Sequence, residues 1–305
     1  MKQNFKIIFL LFFTWLVAKS NAQTGTFGSG YFQNQYIFNP AMAGLKNGEL
    51  NLNLAYLGQA NSGVDNSAFT TIYGTADYAF NKDIGAGVAV YNDKAGLINS
   101  TKIVGTYSFH MDLGDDNQRL HLGVSAIGIQ QKLRQDAVTG DPNDPSLINF
   151  NNDRKMQFES DFGAAYTDDA WTLQATVPNL VALFKDRARD EVFSQTTFLA
   201  AASYKIKLTE EGDDLITLEP KAVYRGLKQT KNVFDGGANL AFLNELLNVY
   251  GMYHSTQCIT AGIGFKFNLV QASASYNSKP STLSGDSFGN SFEIGFRFSL
   301  SPKKK

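Results

Sequence analysis

Fourteen short stretches of alternating polar and apolar residues follow residue 48, and they constrain the fold more than any other feature of this chain. The last stretch reads Ser-Phe-Glu-Ile-Gly-Phe-Arg-Phe from residue 291 to 298. Because successive side chains of a strand point to opposite faces, this stretch has one apolar face and one charged face. A water-soluble sheet buries such an apolar face against a second layer, whereas a membrane barrel turns it outward to lipid.

The first residues of the chain predict an export signal. Lys2 and Lys6 form a basic start, an apolar run covers residues 7–17, and small residues precede a cleavage site at Gln23. That run is shorter than the roughly 20 residues that a membrane-spanning helix needs. We therefore expect a signal peptide at 1–22, an N-terminal entry segment at 23–48, a barrel at 49–300 and a basic C-terminal tail at 301–305.

The rest of the chain has no apolar run long enough for a transmembrane helix, so it predicts either a soluble protein or a closed barrel. Most even-numbered strands end on an outward aromatic residue: Tyr78, Phe80, Phe109, Tyr166, Tyr204, Phe242, Phe265, Phe267, Phe296 and Phe298. A ring of aromatic residues at one height is typical of a barrel at the lipid interface. The sequence thus predicts an all-β fold: a transmembrane, antiparallel outer-membrane β-barrel of about 14 strands, with both termini periplasmic.

The predicted strands lie at 49–58, 68–80, 83–92, 98–113, 118–133, 157–168, 171–178, 195–207, 215–226, 232–242, 246–255, 257–267, 269–277 and 290–299. Long and short connections alternate, as they do where extracellular loops are long and periplasmic turns short. A longer loop is expected around residues 93–97, whereas the short connection near Thr256 breaks the rule. Pro220 removes a ladder hydrogen bond from its strand, which predicts a bulge there.

The faces of the strands can be assigned from their parity. The twelfth strand directs Ile259, Ala261, Ile263, Phe265 and Phe267 to lipid. The lumen side mixes both signs of charge: Lys102, Glu159, Asp161, Glu219, Lys221, Arg225, Glu293 and Arg297. A bracing network of salt bridges and a selective pore both fit this mixture.

No set of residues points to catalysis. His110 and His121 lie on adjacent strands and could approach each other near the periplasmic rim, and His254 is expected at the outer rim. We interpret all three as polar surface, because no serine, histidine and acid converge at one height. The single cysteine, Cys258, is expected to be a small buried side chain.

The loop at 134–156 carries Asp141, Asn143 and Asp144, which could bind calcium but are also ordinary turn residues beside proline. The pairs at 115–116, 168–169 and 213–214 predict solvated acidic turns. Without Lys2, Lys6 and Lys19 the chain has 24 basic and 28 acidic residues, which gives no case for nucleic-acid binding. The sequence predicts no enzyme and no cofactor.

Several motifs resemble one family along nearly the whole mature chain. Residues 31–44 read Tyr-Phe-Gln-Asn-Gln-Tyr-Ile-Phe-Asn-Pro-Ala-Met-Ala-Gly, similar to the entry segment of the PorP/SprF family of type IX secretion and gliding proteins of Bacteroidota. Met42 stands where that family usually has Tyr. The stretches at 176–180 (Thr-Val-Pro-Asn-Leu), 219–225 and 291–294 resemble further family motifs in the same order.

The resemblance implies an integral outer-membrane protein that works with other type IX secretion components and is linked to gliding motility. Its partner would be a secreted, adhesin-like cell-surface protein with a type IX C-terminal sorting domain, which the barrel anchors or helps to export. The alternative is a passive or substrate-binding, porin-like transporter.

Within the entry segment, Pro40 fixes its own φ and biases Asn39 toward an extended shape, while Gly44 permits a turn into the first strand. The segment is either a simple chain entry or a conformation held because a partner or the barrel lumen docks on it. Lasting interfaces centre on a few buried anchors. The candidate partner-binding residues are therefore Tyr36, Phe38, Asn39, Pro40, Met42 and Gly44.

Overall fold

A computed structural model describes residues 30–59, 69–96, 98–114, 117–133, 156–184, 196–209, 215–227, 232–278 and 290–301. The predicted signal peptide, the candidate calcium ligands, the acidic pairs at 115–116 and 213–214, and the lysines at 303–305 lie outside these ranges. Within the described ranges, no helix has the length and apolar character needed to cross a membrane.

Fourteen antiparallel strands form a closed ring. They are β1 (Leu50–Gln59), β2 (Thr70–Ala79), β3 (Ile84–Ala95), β4 (Ile98–Asp112), β5 (Arg119–Leu133), β6 (Gln157–Thr167), β7 (Trp171–Val177), β8 (Thr196–Tyr204, continued by Ile206–Lys207), β9 (Thr217–Leu227), β10 (Val233–Phe242), β11 (Leu247–His254), β12 (Cys258–Phe267), β13 (Val270–Asn277) and β14 (Ser291–Leu300). Each strand pairs with its neighbours in sequence, and β14 closes the ring on β1 from Leu50 opposite Leu300 to Gln59 opposite Ser291. The predicted fourteen-stranded barrel is confirmed.

The two ends of the barrel differ in their connections. We call the end where β1 begins and β14 ends the terminal end, and the opposite one the distal end. Most connections at the terminal end are short, such as 168–170 and 268–269, whereas the distal end carries the long ones at 134–156 and 279–289. At 168–170, the Asp168 carboxylate accepts the backbone N–H groups of Ala170 (2.7 Å) and Trp171 (2.6 Å), which fixes the turn. Which side of the membrane the terminal end faces stays a prediction.

Two local expectations are wrong. The connection expected to be long around 93–97 is only two residues, because β3 runs on to Ala95 and β4 begins at Ile98. At Pro220 the β8–β9 ladder is interrupted opposite Tyr204 and Lys205. The register is nevertheless the same on both sides of the interruption, since Leu218 lies opposite Ile206 and Lys221 lies opposite Ser203. No bulge therefore forms at Pro220. Proline removes a donor there without adding a residue, and the register instead shifts between Gly226 and Leu227.

Side chains alternate along the strands as predicted. On β12, Ile259, Ile263, Phe265 and Phe267 are exposed on the outer face, whereas Cys258 and Thr260 are buried on the inner one. The aromatic residues predicted near the terminal end are on the outer face as well, and Trp171 joins them with its ring 4.7 Å from that of Tyr204. An apolar outer band bounded by aromatics matches the lipid contact of an outer-membrane barrel.

Replacing Ile263 with arginine should cost about 2–4 kcal/mol of barrel stability, because Ile263 is 50% exposed on the outer face in the middle of β12. Arginine at Phe267, on the same face at the end of that strand, should cost only about 0–1 kcal/mol, since the penalty falls toward the interface. Denaturant titration of the protein folded into lipid vesicles measures both. Equal losses would mean that Ile263 is not at mid-membrane depth.

Candidate functional site

The described part of the entry segment lies inside the barrel. We call residues 30–45 the plug; it consists of α1 (Gly30–Gln33) and two 3-10 turns at Gln35–Ile37 and Pro40–Met42. Tyr36 packs with Ala89, Val104 and Ile127 of the barrel wall, and Met42 packs with Ala165. The apolar core of the molecule is therefore formed between the plug and the inner face of the wall.

Asn39 and Pro40 fix the conformation of the second turn. Asn39 has an extended backbone, and its Oδ1 accepts the N–H of Ala41 at 2.9 Å, which is the N-cap interaction of a helical turn. Its Nδ2 donates to the carbonyl of Ala164 on β6 at 3.1 Å. Pro40 occupies the first position of the turn, where its missing N–H costs no hydrogen bond.

Inward glycines make room for this turn. A Cβ on Gly163 of β6 would overlap Asn39 Oδ1, and a Cβ on Gly123 of β5 would overlap the backbone of Pro40 and Ala41. The plug backbone can approach β5 and β6 this closely only because both positions lack a side chain.

The plug continues into β1 through a second set of polar contacts. The N–H of Gly44 donates to Asp77 Oδ2 at 3.0 Å, and the carbonyl of Ala43 accepts Ser108 Oγ at 2.7 Å. Gly44 has φ +64°, and a Cβ there would come within 2.6 Å of the Tyr78 carbonyl oxygen. Both its φ and its surroundings therefore require glycine, as the turn predicted at this position suggested.

The middle of the plug is held by side-chain hydrogen bonds. The Tyr36 hydroxyl donates to Thr106 Oγ1 at 2.8 Å, and Asn34 Nδ2 donates to Thr75 Oγ1 at 3.0 Å. Burial raises the pKa of Tyr36 to about 12, so its phenol is a neutral donor at physiological pH. Gln35 accepts from Gln174 at 2.5 Å.

Gln33 joins the plug to the last strands of the barrel. Its side-chain amide donates to Asn248 at 3.2 Å and accepts from Gln271, and its backbone carbonyl accepts Arg297 Nη1 at 3.2 Å. Lys221 donates to the carbonyl of Tyr31 at 2.6 Å, so two cations of the lumen bind plug backbone.

The Tyr31 end of the plug rests on a buried charged cluster. Its hydroxyl donates to Asp235 Oδ2 at 3.1 Å, and Asp235 also pairs with Arg225 at 2.9 Å and with His254 at 2.8 Å. Asp235 is fully buried, and Arg225 and His254 are each 2% exposed. This cluster and the Lys221–Glu219 pair at 3.5 Å fit the bracing network that was one of the two interpretations of the lumen charges.

The three histidines are buried, so their interpretation as polar surface is wrong. His110 and His121 do approach each other, as predicted, with Nδ1 atoms 2.8 Å apart. His110 Nε2 lies 3.1 Å from the Ala43 carbonyl and His121 Nε2 lies 2.8 Å from Thr167 Oγ1, so the pair connects the plug to β6. The sequence pattern placed them near one rim of the barrel but did not show that the plug covers the inner face on which they lie.

His254 lies between a hydroxyl and a carboxylate. Its Nε2 is 2.8 Å from Thr260 Oγ1 and its Nδ1 is 2.8 Å from Asp235 Oδ1, an order of groups also found in hydrolytic triads. The Thr260 hydroxyl donates its hydrogen bond to Asn277 Oδ1, however, and all of these side chains are buried. The arrangement gives a substrate no access to the hydroxyl. Cys258 is buried nearby, as predicted, with Sγ 3.2 Å from Thr256 Oγ1.

The structure brings the six predicted partner-binding residues together in the plug. Five of them are buried, namely Tyr36, Asn39, Pro40, Met42 and Gly44, and Phe38 is partly exposed with its ring stacked 4.6 Å from that of Tyr31. Their contacts given above are with the wall and with other residues of the plug. Their binding of a partner stays a prediction.

Sequence reasoning missed the wall side of this site and the plug residues Tyr31, Gln33, Asn34 and Gln35. The inward parity of Gly123 and Gly163 was a usable signal, because glycine at matching inner positions of adjacent strands marks a close backbone approach. No such signal exists for Asp235, which lies 204 residues from Tyr31 in the chain.

A cavity of about 140 Å³ remains beside the plug toward the terminal end. Its lining includes Tyr36 and Met42 from the plug and Asn51, Asp77 and Arg297 from the wall. Within the described residues, no group of histidine, cysteine, aspartate and glutamate side chains could hold a metal ion.

Solved structures that resemble this chain include outer-membrane proteins. The outer membrane protein Omp33 of Acinetobacter baumannii is 10% identical, with a TM-score of 0.47, over 84% of this chain and 100% of the other. A FadL homologue of Pseudomonas aeruginosa is 11% identical, with a TM-score of 0.42, over 82% of this chain and 88% of the other. No curated protein sequence matches the chain.

A family model matches almost the whole sequence. It describes the type IX secretion system membrane protein PorP/SprF and covers residues 20–298, from before the plug to the last strand. The closed barrel with an apolar outer band agrees with this membrane assignment. The chain therefore belongs to the PorP/SprF family of type IX secretion system membrane proteins and is an integral outer-membrane protein.

Proposed function

We propose that this protein is a non-enzymatic barrel that anchors a large, adhesin-like cell-surface protein, or assists its export, through the C-terminal sorting domain of that protein. The observation that carries the proposal is the filled lumen. Among the described residues, the plug forms hydrogen bonds with ten of the fourteen strands: β2, β4, β5, β6, β7, β9, β10, β11, β13 and β14.

Because the plug is hydrogen-bonded to so many strands, the barrel is better suited to binding a partner protein than to diffusion of solutes through its lumen. A passive channel needs a continuous wet path, whereas here buried aromatic and amide side chains occupy the lumen. The plug also gives a rigid, pre-organised surface, which lowers the entropy cost of binding a partner. Family membership supports partners among the other type IX secretion components and a secreted substrate.

Catalysis has no part in this proposal, because the one described arrangement that resembles a triad is closed to substrate. Thr260, His254 and Asp235 are all buried, and the Thr260 hydroxyl donates its proton to Asn277. We infer that the arrangement stabilises the wall and the plug.

Replacing Asn39 and Pro40 together with alanine should lower surface display of the partner several-fold while the barrel still inserts. The change removes the cap on the Ala41 N–H and the hydrogen bond to β6, so the turn loosens without a new clash. The measurements are protease accessibility of the displayed protein on whole cells, and co-purification of a large secreted protein with the barrel in mild detergent.

The matched control replaces Lys46 and Asn47 with alanine, because both are exposed just beyond the plug. The control should leave display unchanged. Normal display in the Asn39–Pro40 variant, together with steady single-channel conductance of the unaltered protein in a planar bilayer, would reject the anchor and favour the transporter.

A further inference from the structure

The Val-Pro-Asn-Leu stretch ends β7 halfway up the wall. The last β6–β7 pair is Phe162 opposite Val177, yet β6 continues for five residues toward the distal end, to Gln157. On the other side, β8 continues past its last pair with β7 at Leu199 to Thr196. Pro178 has no N–H for the ladder, and Asn179 has φ 54°, so the chain turns out of the wall at these two residues.

After this turn the chain lies on the lumen side. The N–H of Asn179 donates to Asp161 Oδ1 at 2.8 Å, and the N–H of Ala182 donates to Glu159 Oε2 at 3.2 Å. Glu159 and Asp161 share the inward parity of β6 with Gly163, so the short helix α2 (Leu180–Phe184) packs inside the barrel. Among the described residues, no strand fills the wall between residues 157–161 of β6 and 196–198 of β8, and we call this gap the notch.

The notch has the width of one strand. Neighbouring strands lie about 4.7–4.9 Å apart, so β6 and β8, on either side of the missing continuation of β7, are separated by about twice that distance. One extended chain fits between them at hydrogen-bonding distance from both.

The β6 edge of the notch presents backbone groups of known direction. The N–H of Asp168 donates to the Trp171 carbonyl, so even-numbered residues of β6 direct their backbone groups toward β7, and Phe158 and Ser160 direct theirs into the notch. On the β8 edge, Thr197 is the extra residue at the register shift between Gly226 and Leu227, so the alternation of β8 does not extend through it. Among the described residues, no strand pairs with Phe158 and Ser160 on the β7 side.

The surroundings of the notch are apolar on the outside. Phe158 is 64% exposed and Phe162 44% exposed on the outer face. Lipid chains cannot accept or donate hydrogen bonds, so backbone edges in this layer are costly until another polypeptide pairs with them. The chain's own segment at 185–195 is a poor candidate, because six of its eleven residues are charged and neither parity is apolar.

We propose that the notch accepts one extended polypeptide segment of a partner protein as an added strand between β6 and β8. Its backbone would pair with Phe158 and Ser160 of β6, which is strand addition at an open sheet edge. Side chains of one parity would face lipid and should be apolar, while the other parity faces α2. The inference deepens the proposed function by giving the partner's chain a docking position, and depends on it only for the partner's identity.

Amide hydrogen exchange of the full-length protein in detergent micelles tests the notch without knowledge of that partner. The probe is a synthetic seven-residue peptide of alternating valine and threonine. Addition of the peptide should slow exchange at Phe158 and Ser160 by at least about tenfold, because their N–H groups become hydrogen-bonded. Exchange in β12 should not change.

A Ser160→Pro variant sharpens the test. Proline removes only the N–H that faces the notch, since the β5–β6 ladder uses the odd-numbered residues of β6, so the barrel should fold as a heat-modifiable species. Peptide protection at Phe158 should then fall several-fold, whereas Ser160→Ala should behave as wild type.

Three results would overturn the inference: no protection by saturating peptide, the same amides already protected in the free protein, or equal protection in the proline and alanine variants. None of them bears on whether a secreted protein co-purifies, so failure of the notch and failure of the anchor are separable.

Discussion

Valine at Gly123 should force the Pro40–Met42 turn of the plug away from the wall. A single Cβ at this position would overlap backbone atoms of Pro40 and Ala41, and backbone cannot move aside as the end of a flexible side chain can. The turn must therefore leave β5, and the contacts of Asn39 with β6 go with it. Overpacking of this kind costs about 1–3 kcal/mol or more, which the turn relieves by moving off β5 while the wall stays closed.

The measurement is conductance in a planar bilayer. The unaltered protein should conduct little because the plug crosses the lumen, and the Gly123→Val variant should show long open events and protease cleavage near residue 40. Gly105→Val is the matched control, since Gly105 is on the outer face of β4 and a Cβ added there would meet no atom within 4 Å. A closed Gly123→Val barrel with an unchanged melting temperature would contradict the observed placement of the plug.

Alanine at Asp235 should destabilise the barrel by about 3–5 kcal/mol, the usual loss when one member of a buried ion pair is removed. The change takes away the carboxylate that pairs with the buried Arg225, and it removes the acceptors of Tyr31 and His254 together. Asp235→Asn should cost less, because its amide oxygen still accepts one of these hydrogen bonds. Denaturant titration in lipid vesicles gives both values.

The control for burial is Asp112→Ala. Asp112 pairs with Arg119 at 2.8 Å, but its side chain is 46% exposed, so its loss should change stability far less than the loss of Asp235. Similar losses at Asp235 and Asp112 would show that the Asp235 cluster is open to water.

The wall could be predicted from the sequence because its determinant is local. Lipid on one face and lumen on the other impose a period of two on every strand, and Ile263 and Thr260 follow it regardless of distant residues. Pro220 shows the limit of this reasoning: a missing donor interrupts one ladder, and whether a bulge also forms depends on a neighbour that the local pattern does not contain.

Only the plug side of the candidate site could be predicted from the sequence. Motifs in the entry segment identified Asn39, Pro40 and Gly44, whose backbone requirements are local and readable from residue type. Their counterparts on the wall could not be found the same way, because the match of Tyr31 to Asp235 depends on how the ring closes around the plug. The histidines were misjudged for this reason, since only the plug buries the inner face on which His110 and His121 lie.

The plug is the first described part of the chain, yet several of its contacts are with residues more than 200 positions further along the sequence. Gln33 is 238 residues from Gln271 and 264 residues from Arg297, and its other partner, Asn248, is also in the last third of the chain. Contacts this distant in sequence slow folding, because a long loop must close before they form. The contacts of Gln33 therefore form only once the last strands are in place, whereas Asn34 and Tyr36 can bind β2 and β4 earlier, so the plug is completed in the same late step that closes the ring.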